Sequence, residues 1–254
     1  MACPLARRIA TSRARTRIDL RLRLTFASYN IHKAVGTDGR RDADRIIAVL
    51  REIDADIIAL QEVDRRIGER ATVLSRAALD DTPWKPAALA RRPRSLGWHG
   101  NAILVRRDFE VLEEVAMELP TLEPRGAVRV DVSCLGHRIR ILGTHLDLSG
   151  LRRRDQIRAI LSEVGECSPP CPTVLLGDFN QWGNRTGAMR EFGPDWHVLE
   201  TGRSFPSRQP VARLDRIVTT GEWGCLEQGV HHSALAAQAS DHLPVFAQLE
   251  LPNI

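Results

Sequence analysis

Cysteine is scarce in this chain of 254 residues, and the few cysteines present are poorly arranged for cross-links. An odd number with a single Cys-x-x-x-Cys pair suits neither a disulfide framework nor a paired zinc site. A chain of this length can bury a complete hydrophobic core without disulfides. Reduced thiols are therefore expected, and they favour a cytoplasmic location. The five cysteines are Cys3, Cys134, Cys167, Cys171 and Cys225.

Long apolar runs are also lacking. No stretch approaches the roughly 20 apolar residues that a membrane-spanning helix requires. The N-terminal region likewise has no apolar segment of the length found in secretory signals. Hydrophobic residues make up 43% of the chain and charged residues 27%, which are ordinary values for a globular protein. We expect a soluble monomer without a transmembrane segment.

Excess positive charge is missing from most of the chain, although the net charge is +4. Residues 1–23 contain seven arginines and one acid, a local charge of +6 that leaves −2 for the remainder. A basic arm can bind polyanions, and arginine-rich composition is also typical of transit peptides. We interpret residues 1–21 as a disordered basic arm. Residues 22–254 are interpreted as one folded domain, because no repeat or long linker interrupts them.

Short apolar strands and amphipathic helices follow one another after the arm. Apolar residues recur at helical spacing over residues 42–53, which predicts a helix. Ser149 is expected to cap another helix over residues 151–164. The mixture indicates an α/β domain. Strands are predicted over residues 22–29, 56–60, 102–105, 128–132, 138–143, 173–176, 213–218 and 243–251.

Polar residues that can bind a metal or transfer a proton stand where these apolar runs stop. Any one of them alone is more often a turn former or a helix cap. Their repetition at strand after strand is hard to explain in that way. If the strand ends meet at one edge of the core, these side chains face a single pocket. They are Asn30, Glu62, His145, Asp178 and Asn180, with Asp241 and His242 directly before the last strand.

These residues belong to seven short motifs in a fixed order. The series resembles the endonuclease/exonuclease/phosphatase superfamily, and the resemblance extends over about residues 22–251. Each motif is weak alone, but the ordered series is highly specific. The motifs are SYNIH from residue 28, QE from 61, GNAI from 100, THLD from 144, GDFN from 177, LDRI from 214 and SDHLPV from 240.

The resemblance implies a four-layer α/β sandwich, in which two mixed β-sheets pack face to face with helices outside. It also implies hydrolysis of a phosphoester with Mg²⁺ or Mn²⁺ as cofactor. A hard cation with oxygen ligands offsets the negative charge of the phosphate and polarises it. Asn30, Glu62 and Asp241 offer such oxygens, and no Cys-His cluster competes for a softer metal.

Five residues are candidates for the catalytic steps. The family pattern pairs Asp215 with His242, whose ring can accept a proton or hold the phosphate as a cation. Asp178 is a candidate to position or deprotonate the attacking water. Asn180 and His145 are candidates to donate hydrogen bonds to the phosphoryl oxygens. His145 can alternatively protonate the leaving group, and the sequence does not decide which histidine is acid and which is base.

Substrate contacts are predicted for Arg125, Asn101 and Trp182. Arg125 precedes Gly126 in a segment that family members also carry, and a solvated surface arginine is the alternative. His32 stands where some family members have a carboxylate near the metal. The number of metal ions, one or two, is therefore left open.

Three functions are compatible with these residues. The first is a nucleic-acid phosphodiesterase, such as an endonuclease or exonuclease. The second is a phospholipid- or sphingomyelin-type phosphodiesterase or a small-molecule phosphatase of the inositol-phosphate kind. The third, a non-catalytic binding module, is the least supported because no expected catalytic position is substituted. Arginine clusters at 91–94 and 152–154 suggest nucleic acid, whereas the net charge of −2 after residue 23 does not.

Overall fold

The computed structural model describes residues 21–66, 68–121, 125–166, 170–183 and 185–252. Within these ranges the chain forms twelve β-strands and four α-helices. The basic arm predicted over residues 1–21 lies outside the described residues, apart from Arg21. The helices are α1 (Ala43–Ile53), α2 (Arg76–Asp80), α3 (Gly150–Gly165) and α4 (Ala234–Ala239). The strands are β1 (Leu22–Asn30), β2 (Ile57–Gln61), β3 (Trp84–Pro86), β4 (Ala102–Arg106), β5 (Glu110–Glu118), β6 (Gly126–Cys134), β7 (His137–His145), β8 (Thr173–Asp178), β9 (Trp196–Val198), β10 (Asp215–Thr220), β11 (Gly224–Val230) and β12 (Val245–Leu251).

The strands form two mixed sheets of six strands each. The first sheet has the order β11-β12-β1-β2-β4-β3 and the second the order β5-β6-β7-β8-β10-β9. Each sheet contains one parallel pair at its centre, β1 with β2 and β7 with β8, and the other pairs are antiparallel. Because parallel strands end at the same edge, the register places Asn30 beside Gln61 and His145 beside Asp178.

Three hydrophobic clusters separate the layers. One lies between the two sheets, a second joins the first sheet to α1 and α4, and a third joins the second sheet to α3. Alternation along β1 explains this division, because Leu24 and Phe26 point to the inter-sheet core whereas Ala27 and Tyr29 point to the helices. Each such large apolar side chain contributes about 1.5–3 kcal/mol on burial. The predicted four-layer α/β sandwich is confirmed.

Helix ends follow local capping rules in one case and depart from them in another. Asp42 caps α1, since its carboxylate accepts a hydrogen bond from the backbone N–H of Arg45 at 3.0 Å. Ser149 occupies the corresponding position before α3, but its side chain makes no capping hydrogen bond. The Asp147 carboxylate instead accepts from the backbone N–H of Ser149 at 2.8 Å. Ser149 is thus the N-cap residue of α3, as predicted, but the Asp147 carboxylate and not the Ser149 hydroxyl makes the hydrogen bond in this turn.

The length and hydrophobicity of the helices were compared with those of a membrane-spanning helix. Among the residues that the structure describes, no helix is both long and apolar enough to cross a bilayer.

Removal of residues 1–20 is expected to leave folding intact, because β1 begins at Leu22 and pairs there with Leu251. Soluble yield, thermal midpoint and turnover of a small chromogenic phosphodiester should match those of the full chain. A large loss of soluble protein would contradict the expectation. If truncation weakens only the binding of a polyanion, and more so at low salt, the arm acts as an electrostatic tether.

Candidate active site

The ends of β1, β7 and β8 and the loop before β12 place three polar side chains and one backbone N–H group around the carboxylate of Asp178. Its Oδ2 atom accepts a hydrogen bond from Nδ2 of Asn30 at 3.0 Å. The same oxygen lies 3.4 Å from Nε2 of His145 and 3.8 Å from Nε2 of His242. The Oδ1 atom accepts from the backbone N–H of Asn180 at 2.9 Å. Asp178 is almost fully buried and is the centre of the predicted constellation.

Asp215 and His242 form a buried pair, as the family pattern implies. His242 Nδ1 lies 2.8 Å from Oδ2 of Asp215, and the hydroxyl of Ser204 donates to the same oxygen at 2.5 Å. Burial alone would lower the pKa of His242, but the carboxylates, Asp215 foremost, raise this pKa to about 10. The ring is therefore an imidazolium at neutral pH. The sequence analysis did not identify Ser204, which precedes β10 without any distinctive motif.

His145, in contrast to His242, is neutral. Burial lowers the pKa of His145 to about 3, and the nearby Arg125 also lowers it, while Asp178 acts against both. A guanidinium nitrogen of Arg125 contacts Nε2 of His145. Because arginine only donates hydrogen bonds, Nε2 of His145 is the acceptor and the ring is neutral. Arg125 is itself buried. It is therefore a component of the site, and the alternative of a solvated surface arginine does not hold.

Glu62 lies directly after β2 with a left-handed backbone, φ 58°. Its Oε2 atom contacts the ammonium of Lys33, and its Oε1 atom lies 3.7 Å from Nη2 of Arg66. Burial would raise the pKa of Glu62, but the hydrogen bond and charge of Lys33 lower it overall. Lys33 was missed from the sequence, although it directly follows the first motif, which ends at His32. The carboxylate is anionic and already attracts cations.

Asp241 lies in the loop between α4 and β12. Its side chain is 40% exposed, which makes it the most exposed of the predicted acidic residues. Its Oδ1 atom lies 3.7 Å from Nδ1 of His32. The preceding Ser240 fixes this loop to β1, since its hydroxyl donates to the backbone carbonyl of Asn30 at 2.7 Å. The same hydroxyl accepts from the backbone N–H of His242 at 3.3 Å.

Two groups of side chains are candidates to bind a divalent cation. Asn30, Glu62 and Asp241 offer only oxygen donors, which suit Mg²⁺ or Mn²⁺. A cation on Glu62 requires the flexible side chain of Lys33 to withdraw. Asp178, Asp215 and His242 also place ligand atoms within 4.8 Å of one another. A hard cation prefers oxygen ligands, so the oxygen-donor group suits Mg²⁺ or Mn²⁺ better than the group that contains a histidine.

Asn101 and Trp182, the other two predicted substrate contacts, make no hydrogen bond with Asp178 or the two histidines in the part of the chain that the structure describes. Asn101 is fully buried, and its amide donates to the backbone carbonyls of Gly126 at 3.0 Å and Trp98 at 3.3 Å. These bonds hold the start of β6, next to Arg125. Trp182 follows Asn180 on a surface loop and is 65% exposed. Contacts of either residue with substrate remain predictions.

A cleft of about 160 Å³ opens beside His145. One wall consists of residues already described, and the other consists of residues from the loops after β2 and before β4. The sequence analysis did not single out the basic members of the second wall, because a run of charged residues is usually a solvated loop. The cleft is lined by Lys33, Glu62, Asp64, Arg65, Arg66, Arg70, His99, Gly100, Arg125 and His145.

Comparison with known proteins agrees with the motif order and with the fold. The model of the Endonuclease/Exonuclease/phosphatase family matches residues 27–242. The protein designated "Uncharacterized protein YbhP" of Escherichia coli strain K12 is 27% identical over 239 residues, which cover 87% of this chain and 94% of YbhP.

Several solved structures share the fold. An endonuclease/exonuclease/phosphatase from Bacteroides vulgatus has a TM-score of 0.75 at 20% identity, covering 91% of this chain and 99% of its own. D. rerio TDP2 complexed with single strand DNA product has a TM-score of 0.69 at 16% identity, with coverages of 89% and 98%. The mannosyl-6-phosphatase Bt3783 of Bacteroides thetaiotaomicron has 0.68 at 21%, with coverages of 89% and 99%. At these identities the structures show the fold alone, whereas the family model spans most of the chain. The chain therefore belongs to the endonuclease/exonuclease/phosphatase family.

Proposed function

We propose that this protein is a divalent-metal-dependent phosphodiesterase that cleaves a phosphoester by attack of water. The observation that carries the proposal is the arrangement around Asp178. A buried carboxylate lies 3.8 Å from the imidazolium nitrogen of His242, which is itself paired with Asp215 at 2.8 Å. A proton acceptor beside a fixed cation suits attack on an anionic phosphate.

Asp178 is assigned the role of positioning and deprotonating the attacking water. Its Oδ1 atom is held by the backbone N–H of Asn180, and Asn30 donates to Oδ2. These bonds fix the plane of the carboxylate, so that a water molecule meets a lone pair in a constant direction. Neutral donors do this without adding charge that would repel the phosphate.

His242 is assigned the role of a fixed cation that binds the phosphoryl oxygens. A group with a pKa near 10 holds its proton at neutral pH and cannot serve there as a general base. Its Nε2–H group is free of the Asp215 bond, which uses Nδ1. The charge developing on the phosphoryl oxygens in the transition state is thus opposed by a cation already in place.

His145 and Arg125 are assigned to the other side of the phosphate. The guanidinium of Arg125 can donate to a phosphoryl oxygen while it contacts His145. Neutral His145 orients this arginine. Because its pKa is about 3, the ring carries no extra proton at neutral pH that it could supply as an acid. Asn30, Glu62 and Asp241 would hold the cation, which when bound neutralises and polarises the phosphate.

Nucleic acid is the proposed substrate class, and a phospholipid or a small phosphorylated molecule is the alternative. Arginines around the cleft favour a polyanion. A neighbour in fold is described with single strand DNA product, whereas another is a mannosyl-6-phosphatase, which favours the alternative. Turnover should be measured on duplex and single-stranded DNA, RNA, sphingomyelin, phosphatidyl lipids and inositol phosphates.

The metal dependence is tested with the Glu62→Gln variant, which keeps the side-chain shape and removes the charge. Turnover of bis-p-nitrophenyl phosphate should require Mg²⁺ or Mn²⁺, and the variant should need much higher metal concentrations. Glu69→Gln is the matched control, because Glu69 is exposed and pairs with Arg94 on the surface. Unchanged turnover in excess chelator would refute the proposal.

A further inference from the structure

The two loops that form the outer wall of the cleft are joined by specific hydrogen bonds. The carboxylate of Asp64 accepts from the backbone N–H of Leu96 at 2.9 Å and from the hydroxyl of Ser95. The backbone N–H of Val63 donates to the carbonyl of Gly100 at 3.0 Å. The wall is therefore anchored directly to the end of β2, next to Glu62.

Arginines outnumber acidic residues on this wall, where Arg66 is paired with Glu62 and Asp64 faces the neighbouring loop. Arg70 Nη1 lies 3.2 Å from Nδ1 of His99, with which it shares the cleft, and Arg65 and Arg66 line the same space. Asp64 is occupied by the bonds to the neighbouring loop. In the part of the chain that the structure describes, no acidic side chain forms an ion pair with Arg65 or Arg70.

The backbone keeps these groups in place. Arg70 and His99 both have left-handed backbones, with φ of 49° and 50°, which side chains other than glycine rarely adopt. Burial lowers the pKa of His99, and the charges of Arg70 and Arg92 lower it further. A neutral His99 is thus able to accept a hydrogen bond from Arg70 and to orient its guanidinium. A guanidinium that has no acidic ion-pair partner and is held in a fixed orientation is the arrangement expected of an anion-binding site.

We propose that this wall binds a second phosphate of the substrate, with Arg70 as the principal contact and His99 as its positioning residue. The proposal rests on the proposed function, since the scissile phosphate is assigned to Arg125 and His145 at the inner wall of the same cleft. A volume of about 160 Å³ is below the range of about 300–1,000 Å³ usual for whole ligands. The cleft therefore accommodates an end of the substrate that carries the second phosphate.

Two kinds of molecule supply such a pair of phosphates. One is a bisphosphorylated small molecule, and the other is a nucleic acid strand with consecutive phosphates. The probes are thymidine 5′-monophosphate and thymidine 3′,5′-bisphosphate, glucose 6-phosphate and glucose 1,6-bisphosphate, and the dinucleotide pTpT. Binding is measured by titration calorimetry in chelator, so that the result does not depend on turnover.

The wild-type protein should bind a bisphosphate about 10- to 100-fold more tightly than the matching monophosphate, the range given by one or two charge-assisted hydrogen bonds. Arg70→Gln should remove most of this preference, and His99→Gln should reduce it less. Arg76→Gln is the matched control, because Arg76 is exposed on α2 and its substitution removes the same charge. A preference confined to pTpT and the thymidine pair assigns the site to nucleic acid, and one shared with the sugar pair assigns it to small bisphosphates.

Equal affinity for mono- and bisphosphates in every pair overturns the proposal, as does an equal loss in the Arg76→Gln control. Turnover of thymidine 5′-(p-nitrophenyl phosphate) with Mg²⁺ is measured in parallel. Absence of turnover together with a bisphosphate preference would overturn the proposed function and leave the second phosphate site supported. Turnover without the preference would do the reverse.

Discussion

Replacement of Asp178 by asparagine is expected to lower turnover by about 10²–10⁴-fold, the contribution of a positioned proton acceptor. The change preserves the volume of a nearly fully buried side chain and removes its negative charge. An amide cannot take a proton from water at neutral pH. Asp178 accepts a hydrogen bond from Asn30 and lies near both histidines, so the substitution removes the carboxylate at the centre of the site.

The measurement is turnover of a chromogenic phosphodiester at saturating Mg²⁺, after circular dichroism and the thermal midpoint show that the variant is folded. Asp195→Asn is the control, since Asp195 is exposed and its substitution removes the same charge. A loss below about tenfold would exclude Asp178 as the proton acceptor, because even modest general-base catalysis exceeds that value.

Substitution of His242 and Asp215, singly and together, is expected to give non-additive losses. His242→Ala should lower turnover by about 10²–10³-fold, the cost of removing a group that stabilises developing charge, because His242 is the proposed cation for the phosphate. Asp215→Asn should cost less, since the ring remains. Adding Asp215→Asn to His242→Ala should cost almost nothing further, because residues that act as a unit are lost together. Losses that multiply in the double variant would show that the two residues act independently.

The pH dependence provides a second readout for this pair. In the wild type the pKa of His242 is about 10, so the imidazolium persists through neutral pH and is lost as the pH rises through that value. Without the Asp215 carboxylate the pKa falls, and the alkaline decline in turnover should move to lower pH. Nuclear magnetic resonance titration of the His242 ring should show the same downward shift. A merely structural role for Asp215 would leave the pKa unchanged.

Much of the fold follows from local patterns. Helix α1 was predicted because its apolar residues recur at helical spacing and Asp42 stands at its start. Strands β2 and β8 were predicted because each is a short apolar run that is buried on both faces. Strand β5 was missed because it is a largely exposed edge with four glutamates, whose sequence lacks a clear alternation. Strand β11 was missed for the same reason of exposure.

Residues that line the cleft were harder to predict from the sequence than residues around Asp178. Asn101 stands within a recognisable motif, yet it is buried and holds backbone carbonyls. Arg70 and His99 stand outside every motif, yet they line the cleft. Loop residues acquire such positions through bonds between distant segments, such as the bond of Asp64 to Leu96, and no periodicity in the sequence reports them.

The family, the layered architecture and the identity of the residues around Asp178 could be predicted from motif order and from the positions where apolar runs stop. The charge states of the two histidines could not be predicted, because they depend on contacts between distant segments. His145 is neutral and His242 is a cation, although both are histidines next to apolar strands. The difference arises because Arg125 faces one ring and Asp215 the other, and a pKa depends on burial and on charges within a few ångströms, whatever their separation along the chain.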